Sequence, residues 1–176
     1  MTMRWNIDGS HSTAEFSVRH LMITNVKGRF GTLSGTVDYD PEKPEASQID
    51  VTIDATSIDT RDEKRDAHLR SPDFFDTEKF PSLTFKSTSV KKTDDGFAAT
   101  GDLTIHGVTK SVTLEVEGPS ESNKDPWGNT RIGASATAKI NRKDFGLNWN
   151  AALEAGGVLV GEQVKISIEV SLVQAK

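Results

Sequence analysis

No cysteine occurs among the 176 residues, which removes disulfides, thiolate chemistry and zinc–sulfur sites together. No apolar run approaches the roughly 18–20 residues that a membrane-spanning helix needs. Positive charge is not in excess: 21 Lys and Arg stand against 26 Asp and Glu, a formal net charge of −5, with both signs mixed along the chain. A nucleic-acid binder normally carries a basic stripe, and this sequence has none. The segment from Met1 to Asp8 lacks the basic region and apolar stretch of a signal peptide, so the chain is expected in the cytoplasm. Internal repeats and low-complexity tracts are missing. So are the Gly-x-Ser-x-Gly elbow, the phosphate loop and the dinucleotide fingerprint.

What is present is a globular balance, with 35% hydrophobic and 27% charged residues, and a length that suits one domain over 1–176. The main signal is period-two alternation. Ala14, Phe16 and Val18 alternate with Glu15, Ser17 and Arg19; Ile49, Val51 and Ile53 with Asp50, Thr52 and Asp54. Phe97 to Ile105, Val112 to Val116, Ile132 to Ile140 and Val164 to Leu172 follow the same rule. One apolar and one polar face means half-buried antiparallel strands. Three more strands are predicted at Arg4 to Ile7, Lys27 to Tyr39 and Leu83 to Val90. In the long one, Gly28 and Phe30 share one parity while Leu33, Val37 and Tyr39 take the other. A bend at Gly31 accounts for the change of phase. The expected fold is all-β, an extended antiparallel barrel of eight to ten strands. Asp94-Asp95-Gly96 and His106-Gly107-Val108 supply tight turns.

One segment breaks the pattern. Thr60 to Arg70 reads as a helix of about three turns, with Thr60 and Glu63 as a capping box and Ser71-Pro72 as its end. This excursion, near 60–71, lies between two strands and is placed across one end of the barrel. Leu69, Phe74 and Phe75 then face the opening.

Side-chain size bears on what the barrel contains. Ala134, Ala136 and Ala138 succeed one another on an inward face, and Ala14, Gly35, Ala99 and Gly101 also fall inward. Small residues on several walls leave volume unfilled, and a dry void costs stability that a ligand would offset. The alternative is that Phe16, Phe30, Phe85 and Phe97 fill the space as an ordinary core.

Ordered blocks along nearly the whole chain resemble the YceI-like proteins, also called polyisoprenoid-binding or lipid-binding YceI-like domains. The blocks include Trp5-Asn6-Ile7-Asp8, Phe16-Ser17-Val18-Arg19-His20-Leu21-Met22 and Gly28-Arg29-Phe30. Further on come Arg65-Asp66-Ala67-His68-Leu69-Arg70-Ser71, Phe74-Phe75-Asp76, Gly101 to Lys110 and Asn141-Arg142-Lys143-Asp144-Phe145-Gly146. The resemblance implies a lipocalin-like barrel that binds, stores or carries a long isoprenoid or similar amphiphile, with no catalysis and no cofactor beyond that lipid.

On that reading the chain lies along the barrel axis against Ala134, Ala136 and Ala138. Phe16, Val18, Phe30, Leu103, Ile105 and Leu114 form the opposing walls, with Ala14, Met22, Phe85 and Ile140 completing the pore. Leu69, Phe74 and Phe75 stand at its end. Arg19, His20, Arg65 and His68 are the candidates for an anionic or polar head group; the alternative for them is a solvated charged face paired with Asp62, Glu63 and Asp66. Histidines His11, His20, His68 and His106 lack metal-site spacing apart from Asp66-x-His68, so no metal is expected. An enzyme built on His20, Asp66, His68 and Ser71 is a second class of function, and a polar-ligand or protein-binding module using Trp127 and Trp149 a third. A partly open edge would permit a homodimer.

Overall fold

The computed structural model describes residues 1–21, 23–150 and 160–176. Its first six strands are β1 (Met3–Ile7), β2 (Thr13–His20), β3 (Thr24–Phe30), β4 (Leu33–Tyr39), β5 (Gln48–Asp54) and β6 (Ile58–Asp59). The helix α1 (Glu63–Arg70) follows. Then come β7 (Ser82–Lys92), β8 (Gly96–Ile105), β9 (Val108–Glu117), β10 (Asn123–Lys124), β11 (Thr130–Asn141) and β12 (Val160–Gln174). All pairings are antiparallel.

Three of the barrel strands are bent. β1 and β2 lie end to end along β12, parted by the turn Gly9–His11. β3 continues into β4 across Gly31 and Thr32, where the alternation changes phase, and β5 into β6 across Ala55–Ser57. With each such pair taken as one strand, eight strands close on themselves as β12, β1/β2, β4/β3, β5/β6, β7, β8, β9 and β11. Closure leaves few free edges. A further irregularity in β7, between Ser87 and Ser89, adds curvature opposite β8.

Register follows from the apolar face. β11 and β12 pair continuously from Arg131↔Val173 to Asn141↔Gln163, which sets Ala134 opposite Val170, Ala136 opposite Ile168 and Ala138 opposite Ile166. A slip of one residue would turn every one of these side chains outward, so burial holds the register.

The helix differs from its expected form. It spans eight residues, and its cap is Asp62, whose carboxylate accepts from the backbone N–H groups of Lys64 and Arg65 (both 3.1 Å). Thr60 is not free to cap. Its N–H and hydroxyl donate to Asp66 Oδ1, and its hydroxyl and carbonyl oxygens accept from Arg65 Nε (2.8 Å) and Nη2 (2.6 Å). α1 has no apolar stripe, for only Ala67 and Leu69 are apolar within it. Burial alone would not orient such a helix. The clamp of Asp66, Thr60 and Arg65 does so, with Asp66 buried.

Candidate functional site

α1 and the segment after it cover one end of the barrel. Phe75 N–H donates to Leu69 O (2.9 Å) and Phe74 N–H to Ser71 O (3.0 Å), folding 71–75 back against the helix. That places Leu69, Phe74 and Phe75 over the interior, where Phe75 meets Phe30 edge to face at 5.8 Å and Phe30 meets Phe16 at 5.6 Å. Below them lies a cavity of about 530 Å³, overwhelmingly apolar, within the range of small-molecule sites.

Of the residues assigned to the pore from sequence, Ala14, Phe16, Val18, Phe30, Phe85, Leu103, Ile105 and Leu114 line this cavity. Ala134, Ala136 and Ile140 line it from β11, and Leu69, Phe74 and Phe75 from the α1 end. Ala138 does not line it. That alanine packs against the main buried core cluster, which includes Phe145 and Leu147. Met22 lies outside the described residues.

The inward glycines do not create the volume. A Cβ at Gly101 would come within 2.7 Å of Phe85 Cζ, so Phe85 already covers this position. At Gly28 a Cβ would meet Phe16 Cζ at 2.4 Å and Thr60 Cγ2 at 2.8 Å, so the bare backbone of β3 seats the Phe16 ring beneath the helix clamp. Gly35 faces the backbone carbonyl of Asp50. The space instead lies beside Ala134 and Ala136.

The charged candidates gather at the α1 end, and all four, Arg19, His20, Arg65 and His68, line the cavity. They are not equivalent. Arg65 is held by Thr60. His68 Nε2 lies 2.8 Å from Asp73 Oδ2, and its ring packs on Phe74 and, at 4.7 Å edge to face, on Trp149. Among the described residues no side-chain hydrogen bond or ion pair engages Arg19 or His20, at the end of β2. His11 instead bonds Asp8 and Ser10, and His106 packs against Phe80 at 5.0 Å. Among the described residues no three of His, Asp and Glu gather as metal ligands. Of the two loop tryptophans, Trp149 joins the cavity wall and Trp127 stands 79% exposed.

Trp149, named from sequence as a candidate for a polar-ligand or protein-binding loop, is instead part of the cavity wall. One residue of this end escaped the sequence reading as a site residue: Arg142, only 3% exposed, which also lines the cavity. Its guanidinium donates to the carbonyl oxygens of Gly161 (2.7 Å), Trp149 (3.0 Å), Val160 (3.2 Å) and Leu147. Burial lowers its pKa below the ordinary arginine value, opposed by the charge of Glu162, yet a guanidinium remains cationic at neutral pH. This cation ties the stretch 147–149 to the start of β12. The acyclic walls of β5 (Ile49, Val51, Ile53) and β12 (Val164, Ile166, Ile168) complete the lining.

The far end is built differently. Tyr39 and Phe97 meet there edge to face at 6.3 Å, and together with Pro119 and Ile132 they border both the main cavity and a second, more open recess of about 610 Å³.

Solved structures share this architecture. The YCEI protein of Campylobacter jejuni is 34% identical with a TM-score of 0.75 over 90% of each chain. Burkholderia cenocepacia BcnA superposes with a TM-score of 0.78 at 23% identity, over 94% of this chain and 98% of its own. A domain from Saccharophagus degradans described as polyisoprenoid binding, and implicated in plant cell wall breakdown, has a TM-score of 0.70 at 16% identity, covering 98% and 99% of the two chains. In sequence, Protein YceI of Escherichia coli O157:H7 is 41% identical over 169 residues, 96% of this chain and 85% of the relative, and that of Salmonella newport is equally similar. The model of the YceI-like domain matches residues 5–172, and the chain belongs to that family.

Proposed function

We propose that the barrel holds the hydrocarbon chain of a long apolar lipid of the polyisoprenoid class, such as an isoprenoid quinone or polyprenyl phosphate, and performs no chemistry on it. The observation that carries this reading is the apolar cavity of about 530 Å³. Its size and apolar lining suit an extended hydrocarbon chain of several isoprene units. At about 0.8 kcal/mol per buried CH₂, such a chain gains well over 10 kcal/mol gross before association costs are subtracted. Affinity of this origin needs no specific polar contact and tolerates lipids of similar length. The Saccharophagus degradans domain, described as polyisoprenoid binding, lends support through its fold.

The head group belongs at the α1 end, beside Arg19 and His20, whose side chains hold no structural partner among the described residues. A binding role without catalysis is supported by the mainly apolar lining and by the engagement of three of the four groups weighed for an enzyme: Asp66 by Thr60, His68 by Asp73 and Ser71 by the His68 carbonyl. A native mass spectrum of the protein purified from its own host tests the reading. The expected result is an added mass that solvent extraction releases as an isoprenoid lipid. Ligand-free protein that turns over a substrate would overturn it.

A further inference from the structure

Side-chain hydrogen bonds fasten both ends of the barrel: the α1 end through the clamp on Thr60 and the four carbonyls around Arg142, the far end through Arg131 on Asp8 and Asp125 and Arg4 on Asp38. The rings between them at the far end take no part in this. Among the described residues no side-chain hydrogen bond to another protein group fixes Trp5, Tyr39 or Phe97 at the far end, apart from packing. Trp5 is 5% exposed, yet its indole Nε1–H has no acceptor. The hydroxyl of Ser47, on the wall of the main cavity beside the start of β5, is likewise buried without a partner. Phe16, Phe75, Tyr39 and Phe97 are all only partly buried, but of these four rings only Tyr39 and Phe97 have open volume on either side, bordering both the main cavity and the recess.

We propose that Tyr39 and Phe97 form a yielding floor that sets which chain lengths the barrel accepts. The inference rests on the reading that the main cavity takes a prenyl chain. A chain of a few isoprene units, held within the main cavity, ends above the two rings. A longer chain displaces them and runs on into the recess, past Trp5 and Pro119 and toward the turn at Thr93 and Asp94. Side-chain rotation supplies the opening, because neither ring must break a hydrogen bond to move and rotamer changes of half-exposed rings are fast. Length discrimination therefore comes from the work of moving two rings rather than from a rigid stop.

The test compares all-trans prenols of 15 and 45 carbons on delipidated protein, with binding measured by titration calorimetry in the same detergent. Phe97→Ala and Tyr39→Ala, each confirmed as folded by far-UV circular dichroism, should raise the ratio of C45 to C15 affinity at least tenfold over that of the parent. Should Phe97→Ala fail to fold, Phe97→Leu reads the same ratio. A C45 prenol carrying a photoreactive group at its hydrocarbon terminus should label Thr93, Asp94 or the 118–122 stretch. An unchanged ratio, or labelling confined to the α1 end, overturns the floor while leaving lipid binding intact. If neither prenol binds the parent protein, the lipid reading itself fails.

Discussion

His68 of α1 and Trp149 of a distant loop pack edge to face with ring centroids 4.7 Å apart, and Phe74 closes the group at 5.4 Å from the indole. The contact joins the helical excursion to the stretch that Arg142 pins to β12, so the α1 end of the cavity is one packed unit drawn from two separate parts of the chain.

This contact makes Trp149 a reporter. Lipid entering at the α1 end changes the surroundings of its indole, whereas Trp127 stands in solvent. Addition of the 15-carbon prenol, which stops short of buried Trp5 at the far end, should alter the tryptophan emission of delipidated protein. Trp149→Phe should remove most of that change and Trp127→Phe should leave it. The opposite pattern would place entry elsewhere.

Arg142 governs the stability of the same end. Replacement by Met removes a donor from four carbonyl oxygens; Val160 O keeps Asn150 Nδ2 (2.8 Å), and at each of the other three an orphaned buried acceptor costs about 1–3 kcal/mol unless water reaches it. The expected loss is about 3 kcal/mol, seen as a fall in Tm of roughly 6–12 °C for a chain of this size. Arg142→Lys should recover less than half of it, because one ammonium cannot reach all the carbonyl acceptors that the planar guanidinium fork spans. A Tm equal to the parent's in either variant would show that the four bonds are not stabilising.

Acid should loosen the opposite end. Arg131 donates to Asp8 (2.7 Å) and Asp125 (2.6 Å), and its guanidinium holds both carboxyls below the usual range, Asp125 at about 2 and Asp8 lower still. Because the folded pKa values lie below the unfolded value of roughly 3.9, this stabilisation is complete above that pH and is lost as pH falls through the folded values. Thermal melts between pH 5 and pH 2 should show a decline that Arg131→Met flattens. An equal slope in both proteins would remove Arg131 from the account.

Much of this architecture is legible in residue order. Alternation marks the strands, and the parity change between Phe30 and Leu33 marks the bend between β3 and β4. What sequence order hides is competition between partners. Thr60 and Glu63 satisfy the capping-box pattern, but Asp66 and Arg65 claim Thr60, and the cap passes to Asp62. Inward Gly35 and Gly101 suggest a void, yet the Asp50 carbonyl lies against the first and Phe85 over the second. Ile49, Val51, Ile166 and Ile168 line the cavity although their size suggests core, because whether a large side chain meets another or meets space depends on the far wall. The partners of Arg142 are backbone carbonyls, which leave no mark in residue identity.

The central claim, that an apolar chain runs along the barrel axis past β11, is tested most directly at Ala136. This residue lines the cavity opposite Ile168, while its neighbour Thr137 points outward and is exposed. The measurement is the stoichiometry of co-purified lipid by native mass spectrometry for Ala136→Trp and Thr137→Lys, each checked for the parent's β-sheet circular dichroism. The account predicts that Ala136→Trp carries no lipid and Thr137→Lys carries the parent's amount. The same lipid at the same stoichiometry in folded Ala136→Trp would contradict it.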